Sequence, residues 1–136
     1  MPSLTVEHLD HDRYEIVVRS HVFTVDQPLA DGGKDTGPTP TEVFVAGLAS
    51  CVSFYAGRFL SRHELSTEGL AVRCEWAMAQ DRPARVASID IAVVVPERFP
   101  EDLCQRLQAV VEHCTVHNSI TTPPEIQIAL RTAAGV

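Results

Sequence analysis

The stretch GPTPTEVFVAGLASC, residues 37–51, decides how the middle of this chain folds. Thr39 suits the N-cap of a helix, and Pro40 suits the first helical position, where a missing backbone N–H does no harm. Glu42 stands three residues after Thr39, the spacing at which a capping box forms. These signals predict a helix that begins after Thr39 and runs to about His63.

The predicted helix is apolar nearly all round. Between residues 43 and 56 the polar positions are Ser50, Ser53 and the hydroxyl tip of Tyr55. A helix of this kind lies inside a structure, wrapped by other elements. Because a chain of 136 residues has little material to wrap it on every side, the pattern favours a homodimer in which the partner supplies one wall.

The other hydrophobic patterns predict strands around two helices, since apolar and polar residues alternate as they do in half-buried strands. The predicted elements are strands at residues 4–9, 14–20 and 22–26, a loop at 27–38, the central helix, strands at 69–78 and 86–95, a second helix from Pro100 to Cys114, and a last strand with Ile126, Ile128 and Leu130. The order β-β-β-α-β-β-α-β predicts a single α+β domain over residues 1–136, with an antiparallel sheet packed on a long buried central helix.

Charge and patterning exclude several classes of partner. The formal net charge is −7, and the Arg and Lys residues are scattered along the chain. Nucleic acids and anionic membranes attract a basic stripe, so neither is expected as a partner. The sequence lacks a basic N-terminal region followed by a long apolar stretch, and we expect no segment near the ~20 apolar residues that span a bilayer. These features predict a soluble, cytoplasmic protein.

Four cysteines in a reducing compartment indicate free thiols, metal ligands or a redox pair more than structural disulfides. Cys51 lies within the apolar central helix, and Cys114 closes the second helix. Taken alone, each is more typical of a buried core thiol than of a reactive one. Cys51 is about three turns from the helix start, where the helix dipole gives little help, and burial raises a thiol pKa. A nearby cation such as an Arg is therefore required if Cys51 is to react near pH 7.

The remaining candidates for chemistry are weaker. Cys74 alternates with apolar strand residues, and Cys104 opens the second helix without a local partner, so both are interpreted as bystanders. His113, Cys114 and His117 do not have the spacing of a strong zinc motif, and a fourth ligand is missing. We therefore expect no metal and no other cofactor.

Three segments carry a family resemblance: GPTPTE at residues 37–42, ASC at residues 49–51 and HCTVHN at residues 113–118. Together they resemble the OsmC/Ohr family of thiol peroxidases, and the predicted order of strands and helices is similar to that family's order. The resemblance covers essentially the whole chain. It implies an intertwined homodimer, with long central helices clasped by strands of both subunits and a cysteine pair at the subunit interface.

The resemblance also implies a reaction. In the family, the first cysteine attacks the terminal oxygen of an organic hydroperoxide, so Cys51 would become a sulfenic acid and release an alcohol. Cys114 would condense with it to a disulfide, which a dithiol reductant reopens. A nearby resolving thiol protects the first one from irreversible over-oxidation. The implied partners are therefore an organic hydroperoxide, a dithiol and a second copy of the chain.

The family uses an Arg to hold the thiolate and a Glu to orient that Arg. Glu42 matches the acidic position of the OsmC-like branch, whereas in Ohr-like members the carboxylate falls one residue earlier, at what is here Thr41. Glu42 is nine residues before Cys51, about 900° of helical rotation, so on a straight helix the two side chains point to opposite sides. The Arg lies in the divergent N-terminal strands, with Arg19 as first candidate and Arg13 as second.

Other residues bear on substrate and activity. Thr115 stands where Pro usually follows the second cysteine, which predicts a looser turn. Phe44, Leu48, Phe54 and Tyr55 predict an apolar pocket that favours alkyl or lipid peroxides, although the same residues also fit a core. The rival hypothesis is a non-enzymatic OsmC-like dimer that binds a small apolar or electrophilic ligand, with the thiols as sensors or core packing.

Overall fold

The computed structural model of the chain describes residues 1–134, and three strands form an antiparallel meander at its N-terminus. They are β1 (Thr5–Asp10), β2 (Arg13–Val18) and β3 (His21–Val25). β1 and β3 both pair with β2 in antiparallel register. Connections at residues 11–12 and 19–20 are short, as antiparallel neighbours allow. The predicted N-terminal meander is confirmed.

A loop at residues 26–38 leads from β3 to the central helix, and Asp26 holds it closed. One carboxylate oxygen of Asp26 accepts hydrogen bonds from the backbone N–H (3.0 Å) and the hydroxyl (2.7 Å) of Thr36. The other accepts from the backbone N–H of Gln27 (2.7 Å). The N–H of Asp26 donates to the carbonyl of Pro38 (3.1 Å). Both ends of the loop are therefore fixed just before the helix starts.

The central helix, α1 (Pro40–Arg62), starts where the sequence predicts. The Thr39 hydroxyl accepts a hydrogen bond from the Glu42 N–H (3.1 Å), and Glu42 Oε1 accepts one from the Thr39 N–H (2.8 Å). His63 is the C-cap, so the predicted end is also confirmed. The reciprocal hydrogen bonds satisfy two of the backbone donors that a helix start leaves without a partner.

Two more strands and two short helices complete the fold. β4 (Ala71–Met78) and β5 (Val86–Val94) form a separate two-stranded antiparallel sheet. They are followed by α2 (Cys104–Val111) and α3 (Thr115–Thr121). A second helix continuous to Cys114 is therefore wrong: Cys114 has extended backbone angles (φ −68°, ψ 156°) and is the N-cap of α3, and an extended residue cannot continue a helix. The α+β class with antiparallel pairing is confirmed.

One copy of the chain buries only one face of α1. The β4–β5 sheet, α2 and α3 pack against that face. Its buried side chains are Val45, Leu48, Val52, Ala56, Phe59 and Leu60. Elsewhere on α1, Phe44 and Phe54 are 47% and 58% exposed. Within a single copy, α1 is therefore not covered on every side.

The apolar character of α1 also corrects an expectation about membrane segments. By length and composition alone, α1 is long and apolar enough to cross a membrane, whereas the sequence was expected to contain no such segment. The core helices of soluble proteins meet the same criterion, and α1 contributes most of the buried apolar cluster of this chain. We therefore interpret α1 as a core helix.

The predicted last strand is not formed in one copy of the chain. Residues 122–131 are neither helix nor strand, and neither sheet includes them. The side chains of Ile126, Ile128 and Leu130 are 75%, 88% and 98% exposed. A strand is stabilised by hydrogen bonds to a neighbouring strand. Without such a neighbour, the alternating pattern at 126–130 does not form a strand, and this part of the predicted order is wrong for a single chain.

Candidate active site

Cys51 and Cys114 meet in the hydrophobic core, between α1 and the start of α3. Cys114 is fully buried and belongs to the main cluster of buried side chains, while Cys51 is half-buried and packs against that cluster. Both are free thiols. They are close enough for the Cys51 side chain to affect the ionisation of Cys114 through a hydrogen bond and through its charge. The fold thus places side by side two cysteines that are far apart in the sequence.

The surroundings of Cys114 favour its protonated form. Burial raises the pKa of the Cys114 thiol above its ordinary value, and the neighbouring Cys51 side chain raises it further. Hydrogen bonds from the backbone N–H groups of His117 (3.4 Å from Sγ) and Val116 act in the opposite direction without cancelling the rise. Cys114 therefore keeps its proton at neutral pH, and its S–H is available as a weak donor to Cys51.

A hydrogen bond between Tyr55 and Thr115 joins the two elements that carry the cysteines. Their hydroxyl oxygens are 2.8 Å apart, across a sequence separation of 60 residues. Tyr55 lies one turn after Cys51 on α1, and Thr115 directly follows Cys114. Thr115 was expected to loosen the turn, but its hydroxyl makes a contact that Pro could not make. No local sequence pattern links residues so far apart, so this pair could not be predicted from the sequence.

Glu42 lies at the first turn of α1, and its position matches its capping role. Its Oε1 atom accepts the hydrogen bond from the N–H of Thr39. Cys51 is about two and a half turns further along the same helix. A direct contact between Glu42 and Cys51 was not expected, and among residues 1–134 no hydrogen bond joins the two. Any effect of Glu42 on the thiol would have to pass through a third group.

The two candidate arginines lie in the N-terminal sheet region. Arg19 is exposed in the turn between β2 and β3, with a positive φ of 54°. Arg13 donates to the Asp10 carboxylate (2.9 Å) and to the Thr36 hydroxyl (3.1 Å). In the part of the chain that the structure describes, neither arginine is hydrogen-bonded to Cys51. The assignment of an activating Arg therefore stays a prediction.

The other cysteines and histidines have separate environments. Burial raises the pKa of the Cys74 thiol, and the negative charges of Asp90 and Glu75 raise it further. Cys104 is exposed on α2. His113 Nδ1 lies 2.8 Å from a backbone carbonyl of α2. Over residues 1–134, no group of three or more His, Cys, Asp or Glu side chains is placed to hold a metal ion.

An apolar cavity of about 490 Å³ lies next to the thiol pair, between α1, β5 and α2. Leu48 and Val52, one turn before and one residue after Cys51, line the α1 side. His117, whose N–H contacts the Cys114 thiol, lines another side. An apolar cavity with a few polar groups is typical of a small-molecule site. The cavity is thus placed to hold a small apolar molecule near the two sulfur atoms.

The four side chains predicted to form an apolar pocket are separated by the fold. Leu48 lines the apolar cavity, whereas Tyr55 lines a second cavity on the C-terminal half of α1. Phe44 and Phe54 are exposed and line neither of these two cavities. Because these residues lie on one nearly all-apolar helix, the sequence could not separate its inner face from its outer one.

Comparison with protein families gives one match over most of the chain. A family model described as OsmC-like protein matches residues 32–129. No curated protein sequence matches the chain.

Solved structures share this fold at low sequence identity. A protein from Psychrobacter arcticus 273-4, provisionally described as an osmotic stress induced and detoxification response protein, is 22% identical, with a TM-score of 0.79 over 88% of each chain. An OsmC-like protein from Mycoplasma pneumoniae is 14% identical, with a TM-score of 0.76 over 90% of this chain and 89% of that one. The organic hydroperoxide resistance protein OhrB of Bacillus subtilis is 15% identical, with a TM-score of 0.61 over 90% and 92%. At these identities the similarity concerns the fold.

Proposed function

The chain belongs to the OsmC-like protein family, and on that premise we propose that it is a cysteine-based thiol peroxidase that reduces organic hydroperoxides. The observation that supports the proposal is the packing of Cys51 against the buried cluster that contains Cys114, close enough for Cys51 to raise the pKa of Cys114. Burial raises the pKa of the Cys114 thiol, so that Cys114 holds its proton. A thiol that holds its proton is a poor first nucleophile, which supports Cys114 as the thiol that resolves and Cys51 as the one that attacks.

The proposed reaction has three balanced steps. The Cys51 thiolate attacks the terminal oxygen of the hydroperoxide, the O–O bond breaks, and the alkoxide leaves and is protonated to an alcohol. The Cys114 thiolate then attacks the sulfenic sulfur of Cys51, which forms a disulfide and releases hydroxide as water after protonation. A dithiol exchanges with this disulfide, so that both cysteines return as thiols and the reductant leaves oxidised.

Activation of Cys51 requires a cation, and we assign this role to Arg19, oriented by Glu42 in a homodimer. Arg19 lies on the three-stranded sheet, which makes no extensive contact with α1 of the same copy within the described residues. A second copy could place that sheet over α1. Arg13 is less suited, because its guanidinium is already paired with Asp10. We place the protein in the cytoplasm, where a dithiol reductant is available and thiols are kept reduced.

The test of the proposed function is turnover of cumene hydroperoxide with a dithiol as reductant. Cys51→Ser should abolish turnover, since it removes the attacking sulfur. Cys74→Ser is the matched control, because Cys74 is half-buried on β4 and lines neither cavity; its turnover should equal that of the wild type. Undiminished turnover in Cys51→Ser, or equal losses in both variants, would contradict the proposal.

A second candidate function is non-enzymatic binding of a small apolar or electrophilic ligand. It is favoured by the apolar cavity of about 490 Å³, whose lining includes neither Cys51 nor Cys114. One equivalent of cumene hydroperoxide followed by thiol titration separates the two functions. The peroxidase should lose two of its four thiols, with Cys51 and Cys114 joined in one disulfide-linked peptide pair. A pure binding protein should lose none.

A further inference from the structure

Three arginines line the second cavity, which has a volume of about 490 Å³ and lies between the C-terminal half of α1 and α2. Arg58 and Arg62 come from α1, one turn apart on the same face, and Arg106 comes from α2. Among the residues that the structure describes, no carboxylate lines this cavity. Within residues 1–134, the ion pairs involve only two other arginines, Arg13 and Arg85. For a chain of formal net charge −7, this is a marked local excess of positive charge.

The remaining walls of the cavity are mainly aromatic and apolar. Phe59 is buried, and its ring stacks on that of His63 with centroids 4.1 Å apart. The guanidinium of Arg58 lies 5.9 Å from the ring centroid of Tyr55, which lines the cavity, and 5.5 Å from that of Phe54, which lies outside it. Such cation–π contacts hold a guanidinium against an apolar surface. Apolar side chains and positively charged side chains therefore line the same cavity.

This combination matches an amphipathic anion in chemistry and in size. Like charges one turn apart on a helix repel each other, and a bound anion would relieve the repulsion between Arg58 and Arg62. A carboxylate can accept two parallel hydrogen bonds from one guanidinium. Inorganic phosphate would use the charge but leave the aromatic walls without contacts. The volume lies within the range of about 300–1,000 Å³ that is usual for small-molecule sites.

We propose that this cavity binds an organic carboxylate with an apolar body, its carboxylate held by Arg58, Arg62 and Arg106 and its hydrocarbon part packed on Phe59. The site is distinct from the thiol pair and does not depend on the peroxidase function. It borders that pair through Tyr55, which lines the cavity and contacts Thr115.

Isothermal titration of the full chain with decanoate, below its micelle-forming concentration, tests the proposal. The expected result is one decanoate per chain. Decanol has the same hydrocarbon body without the charge, and inorganic phosphate has the charge without the body. Each should bind about tenfold more weakly or worse, since each lacks one of the two interactions. Absence of decanoate binding, or phosphate binding as tight as that of decanoate, overturns the proposal.

Substitutions of the cavity arginines test where decanoate binds. Arg62→Gln and Arg106→Gln remove one guanidinium from each wall, and each should raise the Kd for decanoate about tenfold or more. Arg85→Gln is the matched control, because Arg85 pairs with Asp81 (3.0 Å) and does not line the cavity; its Kd should be unchanged. Circular dichroism checks that the variants are folded. Because Arg62 lies on α1 and Arg106 on α2, the test remains valid if one of the two variants does not fold. A Kd that is unchanged in the folded wall variants, or raised equally in Arg85→Gln, contradicts the proposal.

Discussion

The environment of the Cys114 sulfur atom favours its protonated form. Burial first, and the Cys51 side chain second, raise the pKa of Cys114, so only a small fraction of Cys114 is thiolate at neutral pH. In the proposed reaction, only that fraction can attack the sulfenic acid on Cys51. The proposed resolving step should therefore accelerate as the pH rises.

We predict that disulfide formation after a pulse of cumene hydroperoxide accelerates about tenfold per pH unit from pH 6 to pH 8, because the thiolate fraction of Cys114 grows in that proportion well below its pKa. Rapid acid quenching followed by mass spectrometry measures the rate. In Cys114→Ser the sulfenic acid on Cys51 should accumulate and be trapped by dimedone. A resolving rate that does not change over this range would contradict the raised pKa of Cys114.

Asp26 offers a second test at the level of one side chain. Burial acts to raise its pKa, but hydrogen bonds from the side chain and backbone of Thr36 and from the backbone of Gln27 and Lys34 outweigh it, and the pKa falls from 3.8 to about 2. The folded state therefore binds the ionised form more favourably than the unfolded state does. Asp26 should stabilise the fold above about pH 4, and this contribution should be lost as the pH falls towards 2.

We predict that Asp26→Asn lowers the free energy of unfolding at pH 7, and that the difference from the wild type shrinks as the pH falls from about 4 to about 2. Urea unfolding at several pH values measures it. Asp12→Asn is the matched control, because Asp12 is exposed in the β1–β2 turn, and it should match the wild type throughout. A difference for Asp26→Asn that is constant with pH would show that ionisation of this carboxylate is not involved.

At the scale of a whole element, the start of α1 combines a structural role with a proposed functional one. Thr39→Ala removes the cap acceptor, and we predict that it lowers the free energy of unfolding by about 1 kcal/mol. Glu42→Gln keeps an Oε1 acceptor for the capping box but removes the charge. We predict nearly unchanged stability for Glu42→Gln and about a tenfold loss of peroxide turnover, if its carboxylate orients Arg19 through a charge-assisted hydrogen bond.

Urea unfolding and steady-state turnover, measured on both variants, separate the two roles of the α1 start. Thr39→Ala serves as the control in which stability falls while the charge at Glu42 is kept, so its turnover should be close to that of the wild type. Full turnover in Glu42→Gln would show that Glu42 acts only as a helix cap.

The elements also show which parts of the structure a sequence can predict. The start of α1 and the N-terminal hairpins depend on residues close together in the chain, and local rules were sufficient for them. The break before α3 could not be predicted, because the apolar spacing up to Cys114 is the same whether or not the helix continues. The contact between Tyr55 and Thr115, and the proximity of Cys51 to Cys114, depend on packing between distant segments. The pairing of the two cysteines came only from the family resemblance.

At the scale of the whole molecule, one copy leaves several apolar surfaces uncovered. The outer side of α1 exposes Phe44 and Phe54, the three-stranded sheet exposes residues such as Phe23, and the segment at 126–130 exposes alternate apolar side chains. Within the described residues, the three-stranded sheet packs extensively only on itself. Exposed apolar area on this scale is typical of an interface. These surfaces support the proposal that two copies assemble.

The segment at residues 126–130, which forms no strand in a single copy, allows a direct test of that assembly. Ile126, Ile128 and Leu130 lie on one side of an alternating pattern, with Gln127 between the first two. A strand that joined a sheet of a second copy would turn one set towards the packed face and the other towards solvent. We predict that the wild type sediments with twice the chain mass of 14.9 kDa.

Ile128→Arg should shift the mass towards that of one chain, because it would bury a charge in the interface. Gln127→Arg, on the opposite side of the same segment, should remain a dimer. An Ile128→Arg variant as dimeric as Gln127→Arg would mean that this segment does not pair across two copies. A wild type that sediments as a single chain would contradict the assembly itself, and Arg19 would then have no route to Cys51 through a partner.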